Sequence, residues 1–101
     1  MDPNLLDKII HERVRLAIMS ALAAREKLSF SELKEMLQVT DGNLGVNAQV
    51  LEKHGLIVSN KTFVDRKPRT TYALTEKGRA GFNQYVENME KMIHQKPESK
   101  E

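Results

Sequence analysis

The chain has 101 residues, enough for one domain and too few for two of ordinary size. It carries 16 Lys and Arg against 14 Asp and Glu, a net charge of +2, with 40% hydrophobic and 5% aromatic residues. This balance excludes a disordered acidic tail, a collagen-like repeat and a membrane protein. The absence of cysteine excludes disulfides, thiolate zinc sites and cysteine nucleophiles. We expect one domain over residues 1–95, a polar tail over 96–101 and, because no signal-peptide pattern opens the chain, a cytoplasmic protein.

The first 37 residues have the pattern of two helices separated by a short extended segment. Apolar residues at helical spacing predict a first helix over residues 5–24. Residues 28–30 are too few for a helix and predict a brief strand. Ser29 and Glu32 have the spacing of a capping box, which predicts the start of a second helix that runs to about Leu37.

A third helix follows after a connection of about three residues. Thr40 predicts its N-cap, and Asp41 suits its first turn because a negative charge is favoured at a helix N-terminus. The helix should run to about His54, with Gly55 just past its end. Two short helices joined in this way form a helix-turn-helix.

The pattern changes to strands after this helix. Residues 56–58, 62–64 and 70–72 are rich in β-branched and aromatic side chains and predict a hairpin. Residues 65–69 predict its turn, because Pro68 cannot donate a backbone hydrogen bond. Residues 61–80 contain six basic and two acidic residues, so this window, at +4, holds the basic excess of the chain.

Thr75 predicts the cap of a last helix over residues 76–95. An apolar stripe follows this helix and has two interpretations, packing on its own domain or packing on the same helix of a second chain. Together with apolar residues near the N-terminus, the stripe favours a homodimer. The candidate dimer residues are Leu5, Ile9, Phe82, Tyr85, Val86, Met89 and Ile93.

Three segments carry a resemblance to a known family: residues 40–44, residues 51–57 and, above all, the run RKPRTTYALTEKG at residues 66–78. The sequence resembles the small MarR-like winged-helix transcriptional regulators over roughly residues 5–93. The resemblance implies an α+β winged helix-turn-helix, with a three-helix core, a β-hairpin wing and long terminal helices. It also implies a homodimer on double-stranded DNA, with the third helix in the major groove and the wing against the backbone or minor groove.

The third helix should turn its apolar residues inward and present amides and valines on its opposite side. Residues 41–52 contain no Lys or Arg, so phosphate attraction should come mainly from the wing, with possible help from other basic side chains. The candidate DNA contacts are Thr40, Asn43, Gly45, Val46, Asn47, Gln49, Val50, Lys53, Lys61, Arg66, Lys67 and Arg69. The additional basic candidates are Arg13, Arg15 and Lys34.

Two other interpretations stay open at this stage. The amides could be ordinary solvated surface groups, and the domain could be a protein-interaction module that does not bind DNA. An enzyme is disfavoured, because the sequence has no Walker motif and its three histidines, His11, His54 and His94, have no metal-ligand spacing. No cofactor is expected, and no set of residues marks a site for a small-molecule effector.

Overall fold

A computed structural model describes residues 7–94, which fold into four helices and a three-stranded antiparallel sheet. In chain order these elements are α1 (Arg13–Ala24), β1 (Leu28–Ser29), α2 (Phe30–Leu37), α3 (Asp41–Lys53), β2 (Ile57–Val64), β3 (Lys67–Leu74) and α4 (Glu76–Ile93). The order predicted from the sequence is confirmed. None of the helices in this part of the chain combines the length and apolar character needed to cross a membrane.

The first helix is shorter than the sequence predicts. It begins at Arg13, and residues 7–12 form turns instead of the predicted helix. Two carboxylates explain the difference: Asp7 accepts from two backbone N–H groups of the turn that follows it, and Glu12 does the same as the N-cap of α1. The predicted start of the helix at Leu5 lies outside the described residues.

The predicted helix caps are confirmed. Ser29 and Glu32 form both hydrogen bonds of a capping box at the start of α2. The hydroxyls of Thr40 and Thr75 cap α3 and α4 by accepting from the backbone N–H three residues further on. Gly55 follows α3 with a φ of 74°, a left-handed conformation that favours glycine.

The sheet has the order β1-β3-β2, and β2 and β3 form an eight-residue hairpin. Only Asp65 and Arg66 form its turn, and both have positive φ angles, 52° and 67°, as a two-residue hairpin turn requires. The prediction of a turn over residues 65–69 is therefore wrong at its C-terminal end. Pro68 pairs with Phe63 within the hairpin, beyond the last pairing of β1, where β3 has no second neighbouring strand to receive a hydrogen bond.

The core lies between the helices and the inner face of the sheet. Its largest fully buried side chains come from the N-terminal segment and from α1, α2 and α3: Ile10, Val14, Ile18, Met19, Leu22, Leu33, Leu44 and Leu51. Full burial of a side chain of this size contributes about 1.5–3 kcal/mol. As predicted, Leu44, Ala48 and Leu51 face inward, so packing on the core determines which side of α3 remains available to a partner.

Candidate nucleic-acid interface

The outer face of α3 carries a row of exposed side chains. Asn43, Val46 and Gln49 are exposed at intervals of three residues, and Val46 has 61% of its surface accessible. Val50, one turn beyond Val46, is half-buried. Thr40 and Lys53, at the two ends of the helix, are exposed. This row of two amides and one valine carries no charge and is suited to base edges, since amides pair with bases and valine packs on the thymine methyl group.

Asn47 does not belong to this row. Only 7% of its surface is exposed, so the prediction that it lies on the outer face is wrong. Its Oδ1 accepts a hydrogen bond of 2.8 Å from Arg15 Nη1 of α1, and its Nδ2 donates to the backbone oxygen of Asn43 at 2.9 Å and to Asn43 Oδ1 at 2.8 Å. These bonds compensate the burial of a polar side chain.

Two of the additional basic candidates are occupied within the chain. The Arg15 side chain has an exposure of 18%, and its Nε donates to the Ile9 backbone oxygen at 2.6 Å. Lys34 forms an ion pair of 2.9 Å with Asp41 at the start of α3. Both cations are therefore less available to phosphate than the sequence predicts. Arg13 is exposed.

Two glycines open the outer side of α3 to close approach. A Cβ atom added at Gly42 or Gly45 would have no other atom within 4 Å, apart from the neighbouring residues and the backbone of the helix itself. Glycine inside a helix costs about 1 kcal/mol relative to alanine. Intrachain packing gives no reason for glycine at either position.

The basic residues of the wing, the β2–β3 hairpin, lie on both of its faces. Residues opposite each other in the register share a face, and successive residues alternate between faces. Lys61 is therefore on the face that continues the core side of the sheet, whereas Lys67 and Arg69 are on the other face. Arg66 is in the turn, and all four side chains are exposed.

Arg69 also contacts the capping box of α2. Its Nη2 lies 3.7 Å from Glu32 Oε1, and both side chains are about half exposed. Hydrogen bonds to the backbone and side chain of Ser29 hold the pKa of Glu32 below its ordinary value. The positive charge of Arg69 lowers this pKa further, by a smaller amount. This ion pair is a solvent-exposed contact between the wing and the N-terminus of α2.

The wing carries an exposed aromatic ring that is not among the contacts predicted from the sequence. Phe63 is 76% exposed and lies opposite Pro68, and the adjacent Val64 is 46% exposed. An aromatic residue in a strand usually signals the core, so the pattern gave no indication of this exposure. The position becomes visible only from the register, which places Phe63 beyond the part of the hairpin that packs on the helices.

The predicted dimer residues separate into two groups. Three are half-buried and pack against the core of their own protomer: Ile9, Phe82 and Met89. Tyr85 is 4% exposed, and its hydroxyl shares a hydrogen bond of 2.7 Å with His11 Nδ1. Val86 and Ile93 are exposed by 37% and 66% and remain available to a partner. Leu5 lies outside the described residues.

The titratable groups of residues 7–94 show no metal site. No group of three or more His, Asp and Glu side chains in this range could hold a metal ion. Burial raises the pKa of Tyr85 and, with a smaller contribution from Glu52, that of Tyr72. Both phenols are therefore protonated at neutral pH.

A helix-turn-helix with an open outer face, followed by a basic hairpin, defines a winged-helix DNA-binding domain. Residues 14–93 match the family model described as winged helix DNA-binding domain, and the chain belongs to this family. The family resemblance and the α+β winged-helix class predicted from the sequence are confirmed. The chain is also 35% identical over 79 residues to an uncharacterized protein of Methanocaldococcus jannaschii, covering 78% of this chain and 86% of that protein.

Solved structures of other proteins have the same fold. A transcriptional regulator homologue from Pyrococcus horikoshii OT3 superposes with a TM-score of 0.79 at 35% identity, covering 84% of each chain. The YusO protein of Bacillus subtilis superposes with a TM-score of 0.77 at 22% identity, covering 90% of this chain and 66% of that one. The first similarity extends to sequence, and the second is a similarity of fold.

Proposed function

We propose that the protein is a sequence-specific double-stranded DNA-binding transcriptional regulator that acts as a dimer on a roughly palindromic operator. The observation that carries the proposal is the outer face of α3. It presents Asn43, Val46 and Gln49 beside Gly45, a helical glycine with no intrachain packing partner for a side chain. Such a face costs helix stability and suits an element that must approach another molecule closely.

The α3 row supplies sequence preference in this proposal. Gln49 can pair with adenine, and the Val46 methyl groups can pack against a thymine methyl group. Thr40 and Lys53 stand at the two ends of the helix, where phosphates flank the major groove. Asn47, which lies beneath this row, acts by holding its neighbour Asn43.

The wing supplies most of the affinity. Its four cations, Lys61, Arg66, Lys67 and Arg69, are distributed over both faces and the turn. A hairpin of this kind that enters a groove can reach the phosphates on both sides of it. Because α3 has no Lys or Arg before Lys53, the electrostatic part of binding depends on the wing.

The second half of α4 supports the dimer. In α4 the buried residues are Gly78 and Tyr85, and none of its last eight residues, 86–93, is buried to that degree. Val86 and Ile93 expose apolar surface in this half. Pairing of this surface around a twofold axis places the two α3 helices on half-sites about one helical turn apart.

The proposal includes no catalytic activity, and it places the regulator in the cytoplasm. The test is a mobility shift with a generic duplex at several salt concentrations. We expect binding at low salt, with log K falling by about 0.9 per unit of log salt for each phosphate neutralised. If the native chain binds no duplex at low salt, the alternative of a protein-interaction module replaces the proposal.

A further inference from the structure

We propose that Arg15, a residue of α1 behind the DNA-facing surface, fixes the direction in which Asn43 presents its amide, so that Asn43 reads DNA only as a hydrogen-bond donor. The inference rests on the proposed function, because it assigns a specificity to the outer face of α3. It follows from the hydrogen bonds that connect Arg15 to Asn47 and Asn47 to Asn43. Their donors and acceptors can be matched only if each amide has one particular orientation.

The first step is the orientation of Asn47. A guanidinium group has only donors, so the Asn47 atom that lies 2.8 Å from Arg15 Nη1 must be the acceptor Oδ1. The guanidinium is itself fixed, because its Nε donates to the Ile9 backbone oxygen at 2.6 Å and Nη1 lies 3.9 Å from Glu12 Oε1. Asn47 is 7% exposed and has little access to water as a substitute partner.

The second step is the orientation of Asn43. With Oδ1 of Asn47 directed at Arg15, its Nδ2 faces the first turn of α3 and has two hydrogens to donate. One goes to the backbone oxygen of Asn43 at 2.9 Å and the other to Asn43 Oδ1 at 2.8 Å. Because Nδ2 cannot accept, the Asn43 atom that meets it must be the carbonyl oxygen.

The third step concerns Nδ2, the amide atom of Asn43 that Asn47 does not contact. Its Nδ2 has no hydrogen-bond partner within residues 7–94, and the side chain is exposed on the outer face of α3. A bidentate contact with adenine needs Oδ1 and Nδ2 at the base edge together, whereas Oδ1 is turned inward to accept from Asn47. A donor alone suits guanine, which offers N7 and O6, or thymine, which offers O4. It suits adenine less, because the N6 amino group stands beside the N7 acceptor, and it meets the amino group of cytosine unfavourably.

The direct test reverses the polarity of Asn43 with almost no change of shape. It also adds one negative charge, which weakens binding to every duplex, so the readout is the preferred base. In Asn43→Asp the inner oxygen still accepts from Asn47, while the outer amino group becomes an oxygen. Selection of bound duplexes from a random pool should give guanine or thymine at one position of each half-site for the wild type. The variant should favour cytosine there, with the guanine-to-cytosine ratio changed about tenfold or more.

A second arm tests the positioning role of Arg15. Arg15→Met removes the donors that orient Asn47, so base preference should broaden at the position read by Asn43 and stay unchanged elsewhere. The salt dependence of binding should not change, because Arg15 contacts no phosphate in this proposal. Arg15→Lys restores one donor and should recover part of the preference. Arg79→Met, which removes an exposed charge from α4, should leave base preference intact.

Several outcomes would overturn the inference alone. One is a wild-type preference for adenine at the position read by Asn43 that disappears when this adenine is replaced by purine, which lacks the N6 amino group. That result would show that Asn43 accepts a hydrogen bond from the base. Another is an Asn43→Asp variant with no change of preferred base, which shows that Asn43 does not read a base. A third is an Arg15→Met variant that loses affinity equally for every sequence. A native chain that binds no duplex at low salt overturns the proposed function and the inference together.

Discussion

Gly78 of α4 lies so close to the backbone of Leu56 that a methyl group at residue 78 would be 1.9 Å from the Leu56 carbonyl oxygen. Thr75 joins the same contact. Its N–H donates to the Leu56 oxygen at 3.1 Å, and its hydroxyl donates to the Gly55 oxygen at 2.6 Å. These contacts determine where α4 leaves the sheet and therefore the direction of its exposed half.

The Gly78→Ala variant should be strongly destabilised, because backbone atoms of Leu56 must move to admit the methyl group. We expect the free energy of unfolding to fall by about 1–3 kcal/mol or more, measured by urea denaturation. Gly81→Ala is the matched control on the same helix. A Cβ there would be 3.9 Å from the Ile10 and Leu56 side chains, an ordinary contact, so its stability should be unchanged or rise by up to about 1 kcal/mol. Equal losses for both variants would contradict this packing argument.

The capping box of α2 should make stability depend on pH. The pKa of Glu32 is lowered from its ordinary value of 4.5, so the folded state favours the charged carboxylate. The resulting stabilisation is fully present above the ordinary value and is lost as the pH falls through the lowered value. Glu32→Gln keeps the capping-box hydrogen bonds but cannot ionise. The stability difference between wild type and this variant should therefore shrink as the pH falls below about 4.5.

Chemical denaturation at pH values from 3 to 7 measures this difference. The control is Glu35→Gln, an exposed residue on the same helix that takes no part in the capping box. It should not reproduce the change. A difference between wild type and Glu32→Gln that stays constant over the range would show that the ionised form of Glu32 contributes nothing to stability.

The features predicted correctly from the sequence are those set by near neighbours. The capping box of Ser29 and Glu32, the caps Thr40 and Thr75 and the helix periods each depend on a few consecutive residues. The family resemblance then places these elements in a winged helix. Local chemistry and the resemblance thus predicted the fold class and the order of its elements.

Two of the errors come from interactions between residues distant in sequence, whereas the late start of α1 comes from the local hydrogen bonds of Asp7 and Glu12. Asn47 is polar and near the middle of an amphipathic helix, and its burial depends on Arg15, 32 residues earlier. Proline often ends a strand because it has no N–H to donate. Pro68 is accommodated in β3 because β1 pairs only with Tyr72 and Thr71, so no neighbouring strand needs a hydrogen bond from residue 68. No local pattern contains either fact. The prediction of which residues of α3 face the core and which face outward was therefore correct for the apolar residues and wrong for Asn47.

A substitution at Gly45 tests whether the outer face of α3 needs a residue without a side chain at this position. Gly45→Ala should stabilise the fold by up to about 1 kcal/mol, because alanine is a better helix former and the added methyl group has no intrachain clash. The same variant should bind its preferred duplex more weakly, since the methyl group occupies the space that a base or sugar needs. Gly42→Ala has the same open surroundings and should give the stability gain with a smaller loss of affinity. Unchanged affinity in Gly45→Ala would rule out close approach at this position.

The wing arginines should control affinity for all sequences. Arg66→Ala and Arg69→Ala should each weaken binding to preferred and random duplexes alike, and reduce the salt slope by about 1 per lost phosphate contact in each protomer. The fold should tolerate both changes: the Arg69 ion pair with Glu32 is about half exposed, and such pairs contribute at most about 1 kcal/mol. Arg79→Ala, an exposed arginine on α4, is the control for a lost positive charge. Salt slopes equal to that of the wild type would remove the wing from the interface.

The exposed half of α4 should hold the dimer together. Sedimentation of the wild type at micromolar concentration should give about twice 11.5 kDa. Val86→Glu and Ile93→Glu each place a charge in the proposed seam and should shift the equilibrium toward monomer. Their thermal stability as monomers should change little, because these side chains are 37% and 66% exposed in the protomer.

Met89 is a less suitable probe, because it packs partly on the core of its own protomer and its replacement would disturb folding as well. The matched control is Glu87→Lys, an exposed change of charge next to Val86. It should leave the dimer intact, since it lies outside the apolar seam. A wild-type chain that sediments as a monomer at these concentrations, or variants at Val86 and Ile93 that dimerise as well as Glu87→Lys, would show that α4 does not form the interface.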